Sequence, residues 1–161
     1  MLLDLTTFKL VQFIESDTAR RKGIDNTPPP EVISRLEELY KRVLVPVAKL
    51  LEADILVTSG YRCKELNKAI GGAAKSQHVK GEAADFKVLK NGVYIANDDI
   101  YQRIRASSIP YDQLIDEFST WIHVSTASIP RKQALKARKQ GGRNVYIPDF
   151  STPLYGLGKG L

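Results

Sequence analysis

Among 161 residues the chain has one cysteine, one tryptophan, one methionine and only two histidines. The lone Cys63 excludes an intramolecular disulfide, so the fold cannot depend on an oxidising compartment. No apolar run approaches the roughly 20 residues that cross a bilayer. The opening MLLDLTTFKLVQFIES lacks a basic n-region, carries Asp4 early and is interrupted by polar residues, so it reads as neither a secretory signal nor an anchor. The chain is therefore expected to be cytoplasmic at synthesis, and action outside the membrane would need a separate release route. Internal repeats and low-complexity stretches are lacking too, which excludes solenoids and disordered tracts.

The composition is that of a folded soluble domain: 43% of residues are hydrophobic and 26% charged. The length suits one hydrophobic core. Residues 1–150 are expected to form one domain, and residues 151–161, STPLYGLGKGL, a C-terminal tail. The net charge of +6 is uneven, because residues 129–144, IPRKQALKARKQGGRN, are rich in Lys and Arg and hold no acid. One reading of this stretch is a solvated basic helix, the other an attraction to a polyanion such as a wall polymer or nucleic acid. Few aromatics interleave with the charges, which argues against nucleic acid as the partner. A monomer is favoured.

Hydrophobic spacing supplies the elements. Phe8, Leu10 and Phe13 are candidate anchors, and Pro28, Pro29 and Pro30 precede a long amphipathic helix over residues 31–52. Val32, Leu36, Leu39, Val43, Val47 and Leu50 form its apolar face, and Pro46 should kink it. Ile55, Leu56 and Val57 form a buried strand stopped by Gly60, and a short helix over residues 64–70 ends at Gly71 and Gly72. Residues 82–88 read as a strand, and Asn91-Gly92 turns the chain into residues 93–96. Asn97 or Asp98 caps a helix to about residue 107. Two further strands, residues 113–118 and 121–125, are separated by Ser119 and Thr120. In the second, Trp121, His123 and Ser125 share one face and Ile122 and Val124 the other. Strands and helices mix without a βαβ rhythm, so the fold class is α+β, a small antiparallel sheet flanked by helices.

Both histidines sit in motifs suited to a mononuclear metal site. His78 lies in SQHVKGEAAD, on a loop after Ser76, with Asp85 on the following strand; His123 lies in EFSTWIHVS. Two imidazoles and a carboxylate make a three-ligand zinc site with a fourth position open for water. Small Ala83 and Ala84 allow close packing, and Gly81 a sharp turn. The base should be a carboxylate near the metal, and the residues themselves leave Glu117 and Asp116 as alternatives.

The segments SGYR, SQHVKGEAADF and DQLIDEFSTWIHVS resemble the zinc D-Ala-D-Ala carboxypeptidase and L-Ala-D-Glu endopeptidase family, whose fold is shared with hedgehog signalling domains and lysostaphin-type peptidases. SDTARRKGIDNTPP and RKQALKARK to YIP extend the likeness to compact phage and prophage members, over most of residues 8–148. The resemblance implies His78, Asp85 and His123 as zinc ligands and Glu117 as general base. It further implies that Arg62 pairs with a substrate carboxylate or a developing oxyanion, which a guanidinium suits. Ser76 is either a substrate-contacting hydroxyl or a loop cap, and Trp121 either a pocket wall or core. The implied activity is hydrolysis of a peptide bond in the peptidoglycan stem peptide, as in a phage-type lysin released when the membrane is breached. The alternative is a non-catalytic, zinc-stabilised wall-binding module, and a third reading is a polyanion binder that uses the basic segment.

Overall fold

In the computed structural model, residues 1–153 are described; most of the expected tail, residues 154–161, lies outside them. The chain begins with two short helices, α1 (Val11–Ile14) and α2 (Asp17–Lys22), and α2 is capped by Ser16 and ends at Gly23 with φ 65°. Pro30 opens α3 (Pro30–Leu39), where its missing N–H costs nothing.

The long helix expected over residues 31–52 is three pieces: α3, a π-helical turn over Tyr40–Leu44, and α4 (Val45–Leu51). The disturbance precedes Pro46 because proline has no N–H for the carbonyl four residues back, and its ring would collide with that carbonyl. A wider turn removes the conflict, and the Val45 N–H bonds the Tyr40 carbonyl instead.

The sheet contains β1 (Asp54–Ser59), β2 (Ala83–Lys90), β3 (Val93–Tyr94), β4 (Gln113–Glu117), β5 (Trp121–Ser125), β6 (Gln133–Gln140) and β7 (Arg143–Pro148). Its order among the described residues is β1-β2-β5-β4-β6-β7, with β3 also paired to β2. All pairs are antiparallel except β4 with β6. Three more helices complete the fold: α5 (Lys64–Ala69), α6 (Gln77–Lys80) and α7 (Asn97–Arg105). The architecture is α+β, a single domain with an open mixed sheet flanked by helices.

One face of the sheet is the core. Ile55, Phe86, Val88, Leu114, Ile122 and Val124 pack there against Leu36, Leu39, Val43, Val47, Leu51, Ile100 and Ile104. The opposite face carries Asp85, His123, Ile115 and Glu117, because strand alternation sends them the other way. Phe13 is buried in the core, with Phe8 and Leu10 packed on its margin. No helix among the described residues is long and apolar enough to cross a membrane.

Several local expectations change. The basic segment is not a helix: it forms β6 and β7, joined at Gly141 and Gly142 with φ 54° and 75°. Leu135 and Ala137 point to one face and Lys136 and Arg138 to the other, a period of two that the charge density obscured. His78 stands on the four-residue α6 rather than on a loop. Ala96, with no side-chain hydrogen bond, occupies the cap of α7; the Asn97 side chain is drawn away to donate to the Trp121 carbonyl (2.9 Å). The β4–β5 connection is a three-residue loop, Phe118, Ser119 and Thr120, closed by the Glu117–Trp121 pair.

Candidate metal centre

Asp85 and His123 face each other directly across the β2–β5 ladder, so sheet register alone places a carboxylate beside an imidazole. His78 approaches from α6, a turn made possible at its ends by two residues. The Ser76 hydroxyl accepts from the His78 N–H (3.3 Å) and caps the helix, and Gly81 leaves it with φ 74°. A Cβ on Gly81 would fall 2.6 Å from Val32 Cγ1 and 2.9 Å from the Val32 carbonyl, so no larger residue fits without displacing α3. The side chain of Gln77 donates to Asp112 (3.0 Å), which also receives Arg131 through Nε and Nη2. This clamp fixes the start of α6 to the chain leaving β5, and the Arg131 guanidinium holds the Asp112 carboxyl down at about 2.

The three ligand atoms converge to within 4.8 Å of one another. His78 Nδ1 lies 2.7 Å from the Gly60 carbonyl, which can only accept, so that nitrogen carries the proton. Its Nε2 then presents a lone pair 3.2 Å from Asp85 Oδ1. His123 Nδ1 lies 2.9 Å from the same oxygen. Two electron pairs at such a distance repel unless a proton or a metal ion stands between them. A half-buried carboxylate and two imidazoles, one oriented by a backbone carbonyl, therefore form a donor set suited to zinc. Burial works against the Asp85 charge, but the two imidazoles outweigh it and hold the carboxyl far below its ordinary range.

Glu117 occupies the same face as His123, one alternation further along β4. Burial is the main cause that raises its carboxyl from 4.5 to about 7; Asp85 and Asp116 add to this, while His123 and Arg62 oppose it. Asp116 points to the other face. It is almost fully buried, paired with Arg138 Nη2 (2.8 Å) and accepts from the Ser119 N–H (3.1 Å) and Asn97 Nδ2 (3.3 Å). Every polar contact it makes is structural, and none reaches toward the histidines.

Arg62 lies in the field of Asp85 and Glu117, and burial lowers its pKa against their attraction. Its backbone N–H holds the His78 carbonyl (3.2 Å), while its Nε is buried with no partner. A guanidinium N–H left without an acceptor is a hydrogen bond still to be made, and an oxygen brought to Arg62 would make it. A cleft of about 430 Å³ reaches Arg62 from the side away from the candidate centre: Thr58, Ser59, Tyr61, Ser16 and Arg20 line it, and His78, Asp85, His123 and Glu117 do not. Trp121 is half-buried, with its ring 6.1 Å from Phe118. Cys63 accepts from the Leu66 N–H and caps α5, a local role.

The structure thus brings His78, Asp85, His123, Glu117 and Arg62 together and leaves Asp116 out. Two contributors carry little sequence signal. The Gly60 carbonyl acts through the backbone, and the Gln77–Asp112–Arg131 clamp joins residues far apart in sequence. Residues 6–125 match the family model described as Peptidase M15, a span that includes all five converging residues. No curated protein matches the chain.

Proposed function

The chain belongs to the M15 peptidase family, and on that premise we propose that it hydrolyses a peptide bond in the peptidoglycan stem peptide, with zinc held by His78, Asp85 and His123. The observation that carries this reading is the convergence of the three ligand atoms with a base-grade carboxylate on the same sheet face. When bound, zinc supplies a Lewis acid for the scissile carbonyl and acidifies its water.

The chain's own residues supply the rest. Glu117 takes the proton of the attacking water and returns it to the leaving amine, and an ordinary pKa raised toward neutrality suits both steps. Arg62 receives a substrate carboxylate or the carbonyl oxygen as it gains charge, using an Nε–H that nothing among the described residues satisfies. Asp85, kept ionised by the two imidazoles, contributes negative charge that favours a dication over a proton at the centre. Gly60 fixes the ring of His78, and Ser76 caps α6 by accepting the His78 N–H, which leaves its hydroxyl proton available to a substrate oxygen.

A polyanion-binding role for the basic segment is disfavoured by where its charges go. Arg131 pairs with Asp112, Lys136 with Asp98 and Arg138 with Asp116, so much of the segment's charge is neutralised within the fold. Mass spectrometry of muropeptides after incubation with the zinc-loaded protein, beside its Glu117→Ala variant, tests the reading. New products from the parent alone are expected, and the lost mass identifies the bond. No products from either, with stoichiometric zinc present, would instead support the wall-binding module.

A further inference from the structure

The face that bears the candidate centre continues across two more strands. Asp85, His123, Ile115, Leu135 and Pro148 form one in-register row on it. The next row reads Trp121, Glu117, Ala137 and Tyr146. Tyr146 is thus on the same face as Glu117 and two strands away, about 10 Å at the backbone. Ala137, fully buried, is the residue between them in that row. The rest of that face below the hairpin is apolar, with Ile115, Leu135 and Ala137 packed beside Phe118.

Tyr146 is 47% exposed on β7, and among the described residues its hydroxyl has no hydrogen-bond partner. Burial of the ring raises its phenol pKa, and the charges of Glu117 and Asp85 raise it further. The shared row puts Tyr146 on the face of the centre, and these influences keep the phenol protonated, a donor lacking an acceptor. Arg62, which follows β1 at the opposite end of the sheet, is another donor without a partner among the described residues. The ligand cluster and Glu117 lie between the two.

We propose that Tyr146 is a substrate-contacting residue: a peptide bound across the strands is held by Arg62 on one side and, on the other, by the Tyr146 hydroxyl donating to one of its carbonyl or carboxylate oxygens. This rests on the peptidase reading and adds to it a second wall of the groove. The wall is built by β6 and β7, which lie outside the residues matched to the family model. Tyr94, exposed on β3, serves as a control.

The test uses the full chain loaded with zinc. Binding of a stem pentapeptide is measured by calorimetry in a Glu117→Gln background, where turnover is removed, with Tyr146 intact, Tyr146→Phe or Tyr146→Ala. Loss of one substrate hydrogen bond is expected to weaken Kd about 5- to 10-fold in Tyr146→Phe, and more in Tyr146→Ala. Zinc content and Tm should hold, kcat/KM of the otherwise native enzyme should fall by the same factor, and Tyr94→Phe should match the parent. Tyr146→Phe equal to the parent in Kd and kcat/KM overturns the hydroxyl contact, even where Tyr146→Ala is impaired. If the parent neither binds nor cleaves any stem peptide, the peptidase reading itself fails and the inference falls with it.

Discussion

Replacing Glu117 with Gln should stabilise the metal-free protein, and only at neutral and higher pH. The side chain keeps its shape and loses its charge. In the folded chain the Glu117 carboxyl titrates at about 7 against an ordinary 4.5, chiefly because it is buried. The folded state therefore binds a proton more tightly than the unfolded one, so the associated stability is present below pH 4.5 and lost as pH rises to about 7. At about 1.4 kcal/mol per tenfold, the loss approaches about 3 kcal/mol above neutrality. Glu117 is 8% exposed, and the mouth of the site admits solvent that screens part of the effect, leaving about 2 kcal/mol. Urea unfolding of chelator-treated parent and Glu117→Gln protein should give nearly equal stabilities at pH 4.5 and a gap of about 2 kcal/mol at pH 8 in favour of the variant. Zinc should narrow that gap, since a dication favours the ionised carboxylate. An equal difference at both pH values, or a variant less stable at pH 8, would refute the account of Glu117 as a buried, strained charge.

Gly60→Ala is expected to cost about 2–4 kcal/mol, because its Cβ would lie 2.3 Å from the Phe13 carbonyl oxygen and 2.8 Å from Phe13 Cα, backbone that cannot swing aside. The same change moves the carbonyl that orients His78, so zinc affinity measured against a competing chelator should fall about 10- to 100-fold; unchanged affinity would separate Gly60 from the centre. Arg138→Ala should destabilise by about 3 kcal/mol in chemical denaturation, since it strands the buried Asp116 charge, while zinc stoichiometry stays at the parent value. A loss below about 0.5 kcal/mol would class this pair with ordinary surface bridges.

Much of the fold was legible because its signals are local. The β-branched run at Ile55 to Val57, the Asn91-Gly92 turn with φ 53° and 76°, and the spacing of Leu36, Leu39, Val43 and Val47 each act over a few residues. The hairpin of β6 and β7 was missed because Lys and Arg suit helices as well as exposed strands, and its two-residue period is carried only by Leu135 and Ala137. What fixes it is pairing with β4, in parallel, after a connection that leaves β5 and crosses to β4's far side. No local rule encodes that. Tyr146 was invisible for a related reason: it lies just beyond the basic stretch of residues 129–144, and without the β6–β7 pairing it has no face to share with Glu117.

The choice between Glu117 and Asp116 shows how narrow the missing information was. A two-residue loop at Ser119 and Thr120 would pair Phe118 with Trp121, and hence Asp116 with His123, turning Glu117 toward the helices. The observed three-residue loop pairs Glu117 with Trp121 and Ile115 with His123, and every side chain on β4 changes face. Hydrophobic pattern could not decide, because Leu114 and Ile115 are both apolar and either could face the core. The structure decides through polar groups: Phe118 and Ser119 both adopt φ 55°, and the Thr120 N–H bonds the Glu117 carbonyl. The Ser119 N–H is caught by Asp116, which Arg138 in turn neutralises from β6. Asp116 therefore acts on the centre indirectly: by closing the loop in this register it sends its neighbour Glu117 to the face where His123 and Asp85 lie. The positive φ of two non-glycine residues there is a local cost that the Asp116–Arg138 pair offsets.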